Sequence, residues 1–130
     1  MGPKQLHSFQ LISENTCSNE VYMQLGGSVN EHQALMAGKY TKANELSSEM
    51  PYWMHSDGTY ALWFTQGSWR MGTKSNLGTQ TSGIKSTSSP LCPEYVGTNW
   101  KYRDGEEWLD AQRNAQVFKY KGMMHQVKKL

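Results

Sequence analysis

The stretch of this chain closest to a nucleotide motif is Gly67-Ser68-Trp69-Arg70-Met71-Gly72-Thr73-Lys74-Ser75. A phosphate-binding loop needs Gly-x4-Gly followed at once by Lys and Ser or Thr, so that backbone N–H groups and the lysine converge on phosphate oxygens. Here Thr73 intrudes between Gly72 and Lys74, and the residues after Ser75 are rich in Gly and Ser where a helix should follow. A phosphate site is not expected. His7, His32, His55 and His125 are scattered, and none forms a local pair with a second His, Cys or Asp at metal-ligand spacing. No metal and no cofactor are expected, and His55 reads as a hairpin-end residue. The sequence around Ser28 and Ser82 lacks the Gly-x-Ser-x-Gly turn of a hydrolase nucleophile. Cys92, between Leu91 and Pro93, has no neighbouring histidine to activate it, and Glu106-Glu107 beside Trp108 reads as a solvated face. The chain is not expected to be an enzyme.

The aromatic residues carry the better prospect. Tyr52, Trp53, Tyr60, Trp63, Trp69, Trp100 and Trp108 exceed what a core this small must hide. Exposed Trp and Tyr stack on sugar faces or anchor protein partners. The candidate ligand-binding residues are Tyr52, Trp53, Trp69 and Trp100, against the plainer reading that most of the aromatics simply build the core. The 13 basic and 11 acidic residues are interspersed and give a net charge of +2, so no electrostatic footprint for nucleic acid is visible. No apolar run is long enough to span a bilayer. The opening MGPKQLHSFQL has no apolar core of a signal peptide, and Leu6 stands where a myristoylation signal wants Ser or Thr. Cys17 and Cys92 are open to two readings: one disulfide closing a long loop, or two reduced thiols.

The elements that position these residues centre on Met50 to Gly72. Asp57-Gly58 and Gln66-Gly67 break an aromatic and β-branched run into a three-stranded meander, about 51–55, 59–65 and 68–72. Asp57-Gly58 suits a type I′ hairpin. In the middle strand Leu62 and Phe64 oppose Trp63, so both faces are apolar and at least one carries another layer of protein. Upstream, residues 1–16 read as an arm or a first strand around Leu6 to Ile12. Glu20 to Gly26 reads as a half-buried strand with Val21, Met23 and Leu25 on one side. Asn30 to Leu35 is a polar loop or short helical turn, Ala37 to Lys42 a short strand, and Ala43 to Glu49 a polar connection. Downstream, Thr73 to Ser89 has loop composition, longer than most connections in compact domains, with Leu77 and Ile84 as pins. Val96 to Tyr102 and Ala115 to Tyr120 read as strands, Asp104-Gly105 as a turn, and 106–114 is helix or strand.

From Cys17 to about Val117 the chain resembles a short β-rich domain of secreted or surface proteins of invertebrates and protists. The resemblance is carried in order by Cys17, Val21, Gly26, Gly38, Tyr40, Pro51, Tyr52, Tyr60, Leu62, Trp63, Phe64, Trp69, Gly72, Gly78, Pro93, Trp100, Trp108, Asp110 and Val117. It departs at the end, where no Cys follows Val117, which leaves Cys92 as the candidate partner of Cys17. The resemblance implies a compact β module with an extracellular binding or adhesion role and transfers no catalytic residue.

The expected architecture is mainly β: one small domain of antiparallel strands over 17–120, meander- or sandwich-like, with a long Gly/Ser/Thr-rich loop, an N-terminal arm (1–16) and a basic tail (121–130). The expected function is non-catalytic recognition of a glycan or protein partner. The alternative is an accessory subunit of a larger assembly, tethered by its two ends.

Overall fold

The computed structural model describes residues 17–120; the expected arm or strand at 1–16 and the basic tail at 121–130 lie outside these residues. The molecule is mainly β, with nine antiparallel strands in one sheet. They are β1 (Glu20–Leu25), β2 (Gly38–Ser47), β3 (Met50–His55), β4 (Tyr60–Thr65), β5 (Ser68–Thr73), β6 (Ile84–Ser86), β7 (Trp100–Asp104), β8 (Glu107–Asp110) and β9 (Ala115–Phe118). Eight run in sequence order across the sheet, and β9 returns to pair with β1, giving β8-β7-β6-β5-β4-β3-β2-β1-β9. One short helix, α1 (Gly27–Gln33), links β1 to β2.

The sheet curls. Side chains alternate across a strand, and the inward set from both sheet ends meets in one cluster. Val21 and Met23 of β1, Val117 of β9, Trp53 of β3, Trp69 and Met71 of β5, and Trp100 and Tyr102 of β7 all belong to it. A flat sheet of this width would hold its ends far apart, so the shared core requires wrapping. Wrapping suits a core built of few, large side chains: Trp53, Trp69 and Trp100 are wholly buried inside it, and Trp53 meets Trp69 edge-on with centroids 5.7 Å apart. Cys17 and Cys92 are joined in a disulfide whose Cα atoms are 5.3 Å apart, fastening the chain just before β1 to the segment between β6 and β7.

The central meander stands where the sequence puts it, but its turns differ. Asp57-Gly58 is not a type I′ pair. Only Gly58 has positive φ (79°), its N–H bonds the His55 carbonyl at 2.9 Å, and Asp57 Oδ1 accepts from the Thr59 N–H at 2.8 Å. The tight two-residue turn with φ positive at both positions is Gln66-Gly67 (48° and 80°), closing Thr65 against Ser68.

The polar stretch 43–49 is no loop. β2 continues to Ser47, with four residue steps in β2 facing two in β3 between the Lys42–Trp53 and Leu46–Pro51 pairs. That bulge bends the strand, and Ser48-Glu49 (φ 51° and 67°) make the turn into β3. Within the Gly/Ser/Thr-rich stretch, Ile84–Ser86 forms β6 and bridges β5 to β7. The Val96 to Tyr102 strand starts later, at Trp100, and the open stretch 106–114 resolves into β8 and a one-turn 3-10 helix at Gln112–Asn114.

Candidate functional site

None of the four aromatics expected to face a ligand does so. Trp53, Trp69 and Trp100 have no exposed surface, and Tyr52 keeps 6%. Trp53 Nε1 donates to the Ser18 carbonyl and Trp69 Nε1 to the Pro90 carbonyl, each at 2.9 Å, so both indoles pin irregular chain to the sheet. Tyr52 lies on the opposite face, where its hydroxyl donates to Glu45 Oε1 at 2.8 Å. Burial, with the Glu45 carboxylate adding to it, raises the Tyr52 pKa and keeps the phenol protonated. For the three tryptophans the physical reason for the correction is the curl, which encloses every inward ring; Tyr52 is buried on the other face, in a cluster with Ala61 and Trp63. Cys17 and Cys92, left open on the sequence, are bonded.

The residues with possible chemistry are engaged in structure. His55 lies at the end of β3 with Nε2 2.7 Å from the Ala37 carbonyl, and Nδ1 accepts from the Asp57 N–H at 3.1 Å. Both ring nitrogens therefore hold backbone. Ser82 is buried over Gly72, and Ser28 lies in α1. Gly67 to Lys74 is a turn, β5 and the start of a one-turn 3-10 helix, so its N–H groups serve the sheet instead of converging on a phosphate. Among the described residues, no three His, Cys, Asp or Glu side chains are grouped to hold a metal ion, and no helix is long and apolar enough to cross a membrane.

What folding does assemble is a cationic face. Residues directly opposite across paired strands share a side of the sheet. Trp63 pairs with Arg70, Arg70 with Lys85, Lys85 with Lys101, and Arg103 with Trp108. All point away from the curled core, along one outer face of β4 to β8. Arg70 lies under the 73–89 segment, 6% exposed, with Nη1 donating to the Gln80 carbonyl at 2.9 Å. Burial lowers its pKa. Lys85, Lys101 and Arg103 stay half-exposed. Trp108 gathers two of them, with Lys85 Nζ 4.4 Å and Arg103 Cζ 5.2 Å from its ring centroid. Among the described residues none of these cations makes an ion pair; Asp110, opposite Lys101, stands beyond salt-bridge distance. Burial first, then the charges of Arg70, Lys101 and Arg103, lower the Lys85 pKa.

Sequence reasoning missed this face because the cations are fifteen or more residues apart at Arg70, Lys85 and Lys101. The one local signal was the alternation Lys101-Tyr102-Arg103 in a strand, which sets two cations on one side. Clefts elsewhere include one of about 260 Å³ beside α1, lined by Glu31, His32, Leu35 and Tyr60, and one of about 370 Å³ lined by Ser18, Tyr22, Lys119 and Tyr120. Neither concentrates cations: the first carries Glu31 beside His32, and the second Glu20 beside Lys119. No family model, no curated protein and no solved structure matches the chain.

Proposed function

We propose that the chain is a non-catalytic recognition module that binds a glycan or protein partner through the outer face of β5 to β8. The observation that carries this reading is the pair of half-exposed cations, Lys85 and Arg103, held against Trp108 with no carboxylate of the described residues within salt-bridge distance. Arg103 Nε also donates to the Gly105 carbonyl at 3.2 Å, so its guanidinium is held in place, and cations clustered on one face complement an anionic partner. The disulfide supports the same reading, because such bonds persist in the oxidising settings where secreted recognition modules work.

Trp108 supplies the test. The other four tryptophans are wholly buried, so a change in indole emission on binding reports on this face. A bound partner quenches or shifts the emission and slows amide exchange in β7 and β8, and Trp108→Phe removes the optical signal. A glycan array and a protein-partner screen that both come back empty would sink the reading.

A second reading, an accessory subunit tethered by 1–16 and 121–130, draws on one feature. Tyr120 is 64% exposed and lines the same cleft as Ser18, so the two limits of the described chain adjoin. Chains that remain monomeric at every concentration, alone and with candidate partners, would remove it.

A further inference from the structure

We infer that the ligand of this face is a sulfated polysaccharide, held at its sulfate oxygens by Lys85, Lys101 and Arg103. The inference rests on the reading of β5 to β8 as the recognition surface and names the chemistry recognised there.

Geometry comes first. Lys85 and Lys101 are direct cross-strand partners, and Arg103 follows Lys101 by two residues on the same side of β7. Adjacent strands are about 4.8 Å apart and alternate residues about 6.8 Å apart along a strand. The backbone positions of the three therefore stand about 5 to 8 Å apart, so their long side chains can reach neighbouring anionic groups along one sulfated sugar chain. Arg70, the cross-strand partner of Lys85, adds positive charge from below. The crowding is felt at Lys85, whose pKa is lowered by burial and then by these three neighbours. A bound anion would relieve it.

The part played by Trp108 argues against a neutral sugar as the main ligand. A stacking platform offers a free ring face, but this indole already carries Lys85 and Arg103. Its role is to order two long cationic side chains before binding, which reduces the entropy lost when they grip an anion. The groups then offered are ammonium and guanidinium N–H donors, which suit the tetrahedral oxygens of a sulfate. Single-stranded nucleic acid presents similar oxyanions but draws on successive aromatic platforms for its bases. On this face Trp108 stands alone, since Trp63 lies under Thr79 and Leu77. The disulfide adds that the chain suits a setting where sulfated glycans are abundant.

The test is calorimetric titration of the whole chain with a heparin-derived octasaccharide, its desulfated counterpart and an oligothymidine of similar charge. Expected is binding of the sulfated form, at least about tenfold tighter than the desulfated form, since hydrogen bonds to charged groups carry energies of that order. Affinity falls with salt, with a log–log slope of roughly −2 to −3 for three contacts. Lys85→Ala with Lys101→Ala loses about tenfold or more, and Lys85→Arg with Lys101→Arg restores it. Lys39→Ala with Lys119→Ala, exposed cations on β2 and just past β9, changes nothing. The salt slope of the unaltered chain keeps the question answerable if the double alanine variant fails to fold. Equal affinity for the desulfated form overturns the inference and leaves the recognition reading standing. Tighter binding of oligothymidine, or an equal loss in the control pair, also overturns it. No binding of any of the three ends it too, and the recognition reading then falls only if the protein-partner screen is empty as well.

Discussion

Trp63 and Gly72 show how little space the outer face has to spare under the 73–89 segment. Trp63 Nε1 donates to the Thr79 carbonyl at 2.9 Å, and its ring packs with Tyr52, Ala61 and Leu77 in a second small cluster. A Cβ at position 72 would lie 3.1 Å from Ser82 Cα and 3.2 Å from Trp63 Cη2. One of those neighbours is backbone and cannot swing aside. Gly72→Ala is therefore expected to cost about 1–3 kcal/mol, the range for overpacking a filled site, measured by chemical denaturation. Trp63→Ala should cost about 3–5 kcal/mol and speed amide exchange in residues 77–82 ahead of the strands. Loss of stability without that local loosening would show that the segment is held by something other than the indole. That both faces of β4 are apolar was legible from Leu62-Trp63-Phe64. That the cover is polar chain, held by one indole N–H and one guanidinium, was not, because Thr79 and Gln80 contribute carbonyls and any residue type has one.

At the scale of elements, turns and junctions divide into those written in side chains and those written in backbone. Gln66-Gly67 owes its tight form to the strand register on either side. Gly67 has φ of 80°, so Gly67→Ala should cost about 1–2 kcal/mol, read from the denaturation midpoint; no change would mean that the hairpin tolerates another turn. The bulged continuation of β2 escaped notice because its residues are polar, and pairing with β3, not burial, makes them a strand. β6 escaped for a related reason: three residues in a Gly/Ser-rich stretch carry no period, yet Ile84 fills the core and supplies the ladder.

The junction of α1 with β7 adds a pH dependence. His32 Nδ1 faces the Ser28 carbonyl at 2.8 Å, and Nε2 faces Asp104 Oδ1 at 3.2 Å. Only the protonated ring donates to both. The His32 pKa is raised, chiefly by the Ser28 carbonyl, against a lowering by desolvation and with further help from Asp104 and Glu31. A raised value in the folded state means the contribution is whole below the ordinary histidine value of 6.5 and is lost as pH climbs through the folded value. Nuclear magnetic resonance should place the His32 titration above that of an unfolded histidine, with α1 amides exchanging faster on the alkaline side. His32→Gln should remove the pH dependence, and a titration at or below the ordinary value would contradict the contact.

The whole molecule is held by a wrapped sheet and one covalent link. Cys17 and Cys92 are 75 residues apart in sequence, so on the chain-entropy account their bond restricts the unfolded chain by about 4 kcal/mol. Cys17→Ser with Cys92→Ser should lower stability by roughly 2–5 kcal/mol in a denaturant titration, while circular dichroism keeps its β signature at low temperature. An unchanged midpoint would mean that the unfolded chain is already compact.

The sequence by itself determined that this chain is a single β-rich domain, because alternation, aromatic content and Gly-containing breaks are local properties that pleated strands require. It also determined the central meander and the strands at Glu20 and Ala115. Tertiary structure alone decided which aromatics are seen by solvent and which charges become neighbours. Curling depends on how nine strands close on a shared core, and cross-strand register places Arg70, Lys85 and Lys101 side by side though long stretches of chain separate them. Trp53, Trp69 and Trp100 went to the inner face for the same reason that those cations share the outer one: each strand gives one row of side chains to each face.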